Sequence, residues 1–256
     1  MNNVTTTGHE GALSAVLRAV RSDLEHRSGD ETARELFLLG LMEALNNAAE
    51  HGNANDASRK INVRWHFTSA ACLMQVADRG QGFTPVSVKL EEVPGPRGRG
   101  VALMRENSDM VIYNPTGNTV TLIKGGSPVN TALMHAQAEL RTLDGGIFIA
   151  SNFRPREEKP FSAVAELFDL FNSEGSRYMF ADLQHVRLLS STAWGTIFAE
   201  ASREDVEAIV LFNAGPALVA TAKQMGLEKR TDYCRKISVL PDSKAAFEKL
   251  AEILPS

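Results

Sequence analysis

The end of one apolar helix constrains this chain more than any other stretch. Residues 37 to 52 read FLLGLMEALNNAAEHG. At about 100° per residue, Phe37, Leu38, Leu41, Met42, Leu45, Ala48 and Ala49 fall on one side, and Glu43, Asn47, Glu50 and His51 on the other. The first face has to pack against a core, while the second presents a carboxylate and a carboxamide one turn apart. Such a pair can take a proton at Glu43 and offer an oxygen to a hard cation at Asn47. The same residues also suit an amphipathic surface helix with a solvated polar face, and the ten residues 43–52 alone do not separate the two. His51, at the helix end, fits a favourable dipole partner better than a reactive group.

Two glycine clusters follow, Asp78-Arg79-Gly80-Gln81-Gly82-Phe83 and Gly95-Pro96-Arg97-Gly98-Arg99-Gly100. The second opens an apolar helix whose free amides and dipole can hold phosphate oxygens, with Arg97 and Arg99 as sources of positive charge. Residues 43–52, 78–83 and 95–104 together resemble the N, G1 and G2 boxes of the Bergerat-fold (GHKL) ATPases. The single-domain serine-kinase anti-sigma factors are the nearest branch. The resemblance implies ATP and Mg²⁺ as cofactors and gives the residues roles. Glu43 would be the catalytic residue that orients or deprotonates the attacking hydroxyl, and Asn47 would hold Mg²⁺. Asp78 would accept from the adenine amino group. Gly80, Gly82, Gly98 and Gly100 would let backbone approach the nucleotide, Arg99 would add charge near the phosphates, and Thr121 would reach adenine through water. Residues between Phe83 and Gly98 correspond to the nucleotide lid, and Pro85, Pro94 and Pro96 break any single helix there. No GxxxxGK[ST] pattern supports a P-loop enzyme.

At 256 residues the chain is long enough for two domains. The net charge of −4 gives no basic field for nucleic acid. No run approaches the roughly 18 apolar residues that a membrane helix needs. The polar start lacks a signal-peptide pattern, and Cys72 and Cys234 read as reduced packing residues, so a cytoplasmic location without membrane attachment is expected.

An α/β fold is expected throughout. Leu13, Val16, Leu17, Val20 and Leu24 predict a helix over 10–26, preceded by a polar leader in place of the strand with which anti-sigma kinases build their dimer. A homodimer remains among the expected arrangements. The second helix starts near Asp30 or Glu31 and stops at His51-Gly52-Asn53, where glycine suits a left-handed cap. Residues 60–67 alternate as a strand and 72–77 form the next, with closing strands at 109–113 and 118–124. Gly125-Gly126-Ser127-Pro128 reads as a linker, which divides the chain into domains 1–126 and 127–256.

The second half alternates strands (146–152, 178–183, 208–212) with helices (161–171, one that follows 186–195 and runs to about 203, and 216–225), the pattern of a sheet with helices packed on it. It resembles a STAS domain, the fold of anti-sigma factor antagonists, through Phe180-Ala181-Asp182-Leu183, the hydroxyl-rich turn at 190–192, Gly226-Leu227 and residues 245–250. Those antagonists carry a phosphorylatable Asp-Ser-Ser/Thr-Gly turn. Register by Gly195 sets Ser190 at the usual Asp, Ser191 at the acceptor and Ala193 at the usual Gly. Ser191 and Ser190 are therefore candidate phosphoacceptors, although a serine there also suits a helix N-cap. The resemblances together imply a bacterial regulatory protein acting by partner switching, its partners a STAS antagonist or a sigma-factor-like regulator. The alternative is a non-catalytic, nucleotide-responsive interaction protein. A two-component histidine kinase is a weaker reading, since no helix with a phosphoacceptor histidine precedes residue 10 and His9 stands alone.

Overall fold

The computed structural model describes residues 1–25, 31–69, 71–83, 99–156, 160–227 and 232–255. It is a mixed α/β protein with two sheets, and eight helices lie among the described residues. The chain divides into two compact units, Met1–Gly125 with Leu250–Ser256, and Gly126–Lys249. No helix among the described residues is long and apolar enough to cross a membrane.

In the first unit, β1 (Asn2–Thr7), β2 (Lys60–Phe67), β3 (Ala71–Ala77), β5 (Thr119–Gly125) and β4 (Met110–Tyr113) form an antiparallel sheet in that spatial order. The polar leader is thus a strand, contrary to what its sequence suggests. Asn2 to Thr7 lacks apolar alternation because β1 is the sheet edge and, among the described residues, pairs only with β2. Asp23 on α1 (Glu10–Glu25) fastens this edge by accepting from Trp65 Nε1 at 2.7 Å and from Asn2 Nδ2 at 2.5 Å.

Helix α1 buries Leu13, Val16, Val20 and Leu24, the stripe its periodicity predicts. Helix α2 (Glu31–Asn47) buries Phe37, Leu38, Leu41, Ala44 and Leu45. Each such leucine or phenylalanine contributes roughly 1.5–3 kcal/mol by leaving water, so the apolar face fixes the rotation of α2 and hence the direction in which Glu43 and Asn47 point. The helix does not run on to His51 as one α-helix. Ala48–Gly52 forms a π-helical turn, closed by Asn53 N–H donating to the Ala48 carbonyl at 2.8 Å. Gly52 is not the left-handed cap that its sequence position suggests, since its φ is not positive.

In the second unit, β11 (Ile237–Val239), β10 (Ala208–Phe212), β9 (Tyr178–Asp182), β8 (Ile147–Pro155), β7 (Ala136–Leu143) and β6 (Ser127–Pro128) are neighbours in that order. The pairs among β8, β9, β10 and β11 are parallel, and β7 pairs antiparallel with β8. Helices α4 (Pro160–Ser173), α5 (Ser191–Ala201) and α6 (Pro216–Gln224) bury their apolar faces in a core around Phe148, Phe171, Met179 and Trp194. The linker-like stretch does not stay irregular. After Gly125 and Gly126, both at positive φ, Ser127 and Pro128 join the sheet edge beside β7. The short α7 (Asp232–Lys236), β11 and β7 are not legible as elements in the sequence, and α8 (Ser243–Ile253) closes the chain.

Candidate functional site

Helix α3 (Gly100–Asn107) starts directly against the polar face of α2. A Cβ at Gly100 would lie 2.9 Å from Asn47 Nδ2 and 3.1 Å from Glu43 Oε2, closer than side-chain contacts ordinarily allow. Glycine there lets a helix N-terminus, with its free amides and positive dipole end, come up to a carboxylate and a carboxamide.

These groups line a cavity of about 810 Å³. Its wall includes Glu43, Asn47, Glu50, His51 and Gly52 from α2 and the π turn, and Asp78, Gly82 and Phe83 from the strand end beyond β3. Arg99 and Gly100 contribute at the start of α3, and Tyr113, Asn118, Thr119 and Val120 from β4, β5 and the turn between them. The volume lies inside the range of small-molecule and cofactor sites, about 300–1,000 Å³. Burial raises the proton affinity of Glu43, and the nearby Glu50 carboxylate raises it further.

Asp78 follows β3 and is half-buried, so desolvation pushes its carboxyl above the usual range. Gly80 N–H donates to its Oδ1 at 2.7 Å, and its own N–H donates to the Asn118 carbonyl at 3.0 Å. Asn114 organises the facing turn, with Oδ1 accepting from the amides of Gly117, Asn118 and Thr119 at 2.8, 3.1 and 3.1 Å. Gly82 has φ +76°, and a Cβ there would run into the Thr116 carbonyl. The two chain segments are therefore in backbone contact. Phe83 and Tyr113 meet edge to face, centroids 5.5 Å apart, beside the same cavity.

Of the residues singled out in the sequence, Glu43, Asn47, Asp78, Gly82, Arg99 and Gly100 come together around this cavity. Gly80 is not on its wall. It sits beneath, where a Cβ would collide with the Gly52 carbonyl. Thr121 is buried and takes a hydrogen bond from Gln75 Nε2 at 2.9 Å, while Thr119, one pleat repeat earlier on β5, is the threonine on the wall. Gly98 and the lid interval lie outside the described residues. Sequence reasoning missed Asn118 and Thr119. The Asn-Pro-Thr-Gly-Asn run at 114–118, a turn signal, was the clue.

Asn47 fits a magnesium ligand in kind, being a neutral oxygen donor beside a helix N-terminus that favours phosphate. Among the described residues no three His, Cys, Asp or Glu side chains gather as a metal cage.

In the second unit, Ser190 is the N-cap of α5. Its Oγ accepts from Ala193 N–H at 3.1 Å, and Ser191 is the exposed first residue of the helix.

Residues 7–124 match the family model described as Histidine kinase-like ATPase domain. This supports an ATP-binding, kinase-like module over the first unit, the GHKL-type family that the three segments resemble. No curated protein matches the chain.

Proposed function

We propose that the first unit binds ATP with Mg²⁺ and transfers the γ-phosphoryl group to a hydroxyl of a protein partner, so that the added charge switches an interaction involving a STAS-like domain. The observation that carries this reading is the convergence of Glu43, Asn47 and the N-terminus of α3 on one cavity, with Asp78 on another part of its wall. Magnesium bound with the nucleotide would neutralise phosphate charge. The chain's own groups do the rest. Asp78 would accept from the adenine amino group, the α3 amides and Arg99 would hold phosphate oxygens, and Asn47 would supply an oxygen to the ion. Glu43 takes the proton from the attacking hydroxyl as its oxygen bonds to the γ-phosphorus and the bond to the β-phosphate oxygen breaks, with ADP leaving. Phosphoryl transfer asks chiefly for positioning and charge stabilisation, and a carboxyl with raised proton affinity is suited to the base. A phosphate on the acceptor adds about −1.5 to −2 charge, enough to turn an interface off.

The order and direction of strands in the second unit, with Asp182-Leu183 followed by the turn at 190–192, support a STAS-like module, with Ser191 as the exposed acceptor candidate and the anti-sigma regulators as the partner class. Incubation with labelled ATP and Mg²⁺, followed by mass-spectrometric mapping at Ser190, Ser191 and Thr192, tests both halves of the reading. Glu43→Ala and Asn47→Ala serve as controls. Label on the chain or on an added STAS protein, lost in both controls, is the expected result. No transfer and no hydrolysis by the unsubstituted protein would overturn it.

One observation favours a second reading, in which the STAS-like unit is a binding module only. Ser190 Oγ is committed to capping α5, and Ala193 stands where the antagonists have glycine. Transfer to a separate STAS protein without label on this chain would select that reading.

A further inference from the structure

Asn53 follows the polar face of α2, in a loop with no motif of its own. In the structure it is completely buried, at 0% exposure. Its Oδ1 accepts from Arg79 N–H at 3.0 Å, and its Nδ2 donates to the carbonyls of Arg59 at 3.3 Å and Lys60 at 3.5 Å. Its own N–H closes the π turn. One carboxamide therefore ties together the end of the α2 segment, the start of β2 and the turn that bears Asp78.

The surrounding backbone is shaped to bring it inward. Ala54 and Asn55 both occupy the left-handed region, with φ 54° and 58°, and Asn55 N–H reaches back to the Ala49 carbonyl at 2.8 Å. An alanine in that region is uncommon and persists only where its surroundings over-determine it. Beside Asn53, Gly52 leaves no room for a Cβ against the Asp78 carboxyl, and Gly80 leaves none against the Gly52 carbonyl. The π turn and the Asp78 turn touch backbone to backbone, and the Asn53 carboxamide bonds across that contact.

We propose that Asn53 is a positioning residue that holds Asp78 at a fixed distance from Glu43 and Asn47, and so sets the preference of the cavity for adenosine triphosphate over purine triphosphates lacking the 6-amino group. The proposal rests on the nucleotide reading given above. A site that discriminates by one hydrogen bond does so only while its acceptor is held in place. An acceptor free to shift by an ångström accommodates the wrong base edge with little loss.

The test is calorimetric titration of the full chain with ATP and with inosine triphosphate, whose 6-position is a carbonyl, in the presence and absence of Mg²⁺. The unsubstituted protein should prefer ATP. Asn53→Ala should cut that preference by about tenfold or more while the Mg²⁺ dependence of ATP binding, which belongs to Asn47, persists. Asn53→Asp keeps an oxygen for the Arg79 amide but turns a second oxygen toward the Arg59 and Lys60 carbonyls that Nδ2 serves, so it should lose the preference as well. A general loss of stability would weaken both ligands alike and leave their ratio unmoved. An unchanged ratio in Asn53→Ala overturns the proposal and leaves the nucleotide reading standing. If the alanine variant does not fold, amide exchange at Arg79 in the unsubstituted protein decides. Protection comparable to the β3–β5 ladder supports the clamp, and exchange as fast as an exposed loop amide defeats it. Failure of the unsubstituted protein to bind either triphosphate would remove the nucleotide reading and this inference with it.

Discussion

Glu43 in the first unit and Asp182 in the second are both carboxylates whose proton affinity is raised chiefly by burial. They sit in opposite situations. Glu43 faces an open cavity beside a second carboxylate, Glu50, and a helix N-terminus. Asp182 is 2% exposed and wrapped, accepting from Asn213 Nδ2 at 2.9 Å, Gln184 N–H at 3.0 Å and Asn152 N–H at 3.4 Å. A raised carboxyl whose surroundings are filled with its own donors stabilises loops. One that lines a cavity is available for chemistry on something that enters. Glycines divide in the same way. Gly82 and Gly100 hold backbone and side chains in close approach around the cavity, whereas a methyl group added at Gly195 in α5 would meet nothing within 4 Å.

The largest expected break in this comparison is at Glu43. Glu43→Gln keeps shape and removes the proton acceptor, so phosphoryl transfer should fall by about 10²–10⁴ with nucleotide affinity retained. Because burial and Glu50 raise the Glu43 proton affinity, activity should rise with pH above the usual carboxylate range, and Glu50→Gln should move that rise to lower pH. A variant at full rate would show that Glu43 is not the base.

Asp182 comes next. Its carboxyl is pushed from the ordinary 3.8 up to about 6. A group with a higher proton affinity in the folded state favours folding fully below its unfolded value, and that contribution is lost as pH rises through the folded one. The second unit should therefore be more stable near pH 4 than at pH 7 by on the order of 2–3 kcal/mol from this group. Urea titrations read by Trp194 fluorescence in a Trp65→Phe background measure it, and Asp182→Asn should flatten the dependence.

Gly82→Ala should destabilise the first unit by roughly 2 kcal/mol or more, from positive φ and collision with the Thr116 carbonyl. Smaller effects belong to α5. Ser190→Ala should cost about 1 kcal/mol through loss of the N-cap, and Gly195→Ala should stabilise by about 0.5–1 kcal/mol. Denaturant midpoints separate the last three, and a stabilising Gly82→Ala would contradict the close approach of the two backbone segments.

What the sequence disclosed was local in origin. Glu43 and Asn47 are one turn apart on a face fixed by leucines, and Asp78 closes a strand at a glycine cluster, so each is marked locally, and the resemblance of the three segments to one family joins them. Asn53 is invisible there because its partners are main-chain groups as far away as residue 79. Strand β1 reads as a leader because an edge strand need not alternate. The threonine on the cavity wall is missed by two residues: Thr119 opens β5 at the cavity, while Thr121 lies further along the strand, buried beside Gln75. The second unit yields its alternation of strands and helices, but not β7 or the short elements near its end.

The π turn at Ala48–Gly52 gives this part of the chain one residue of slack that α2 lacks. A residue lost inside α2 would swing everything beyond it by about 100°, taking Gly52 off Asp78 and Asn53 off the Arg79 amide. A residue lost at 48 or 49 would let the turn close as ordinary helix with the flanking segments near their former rotation. Single deletions in random mutagenesis are therefore expected to be rejected within α2 and better tolerated at 48 and 49.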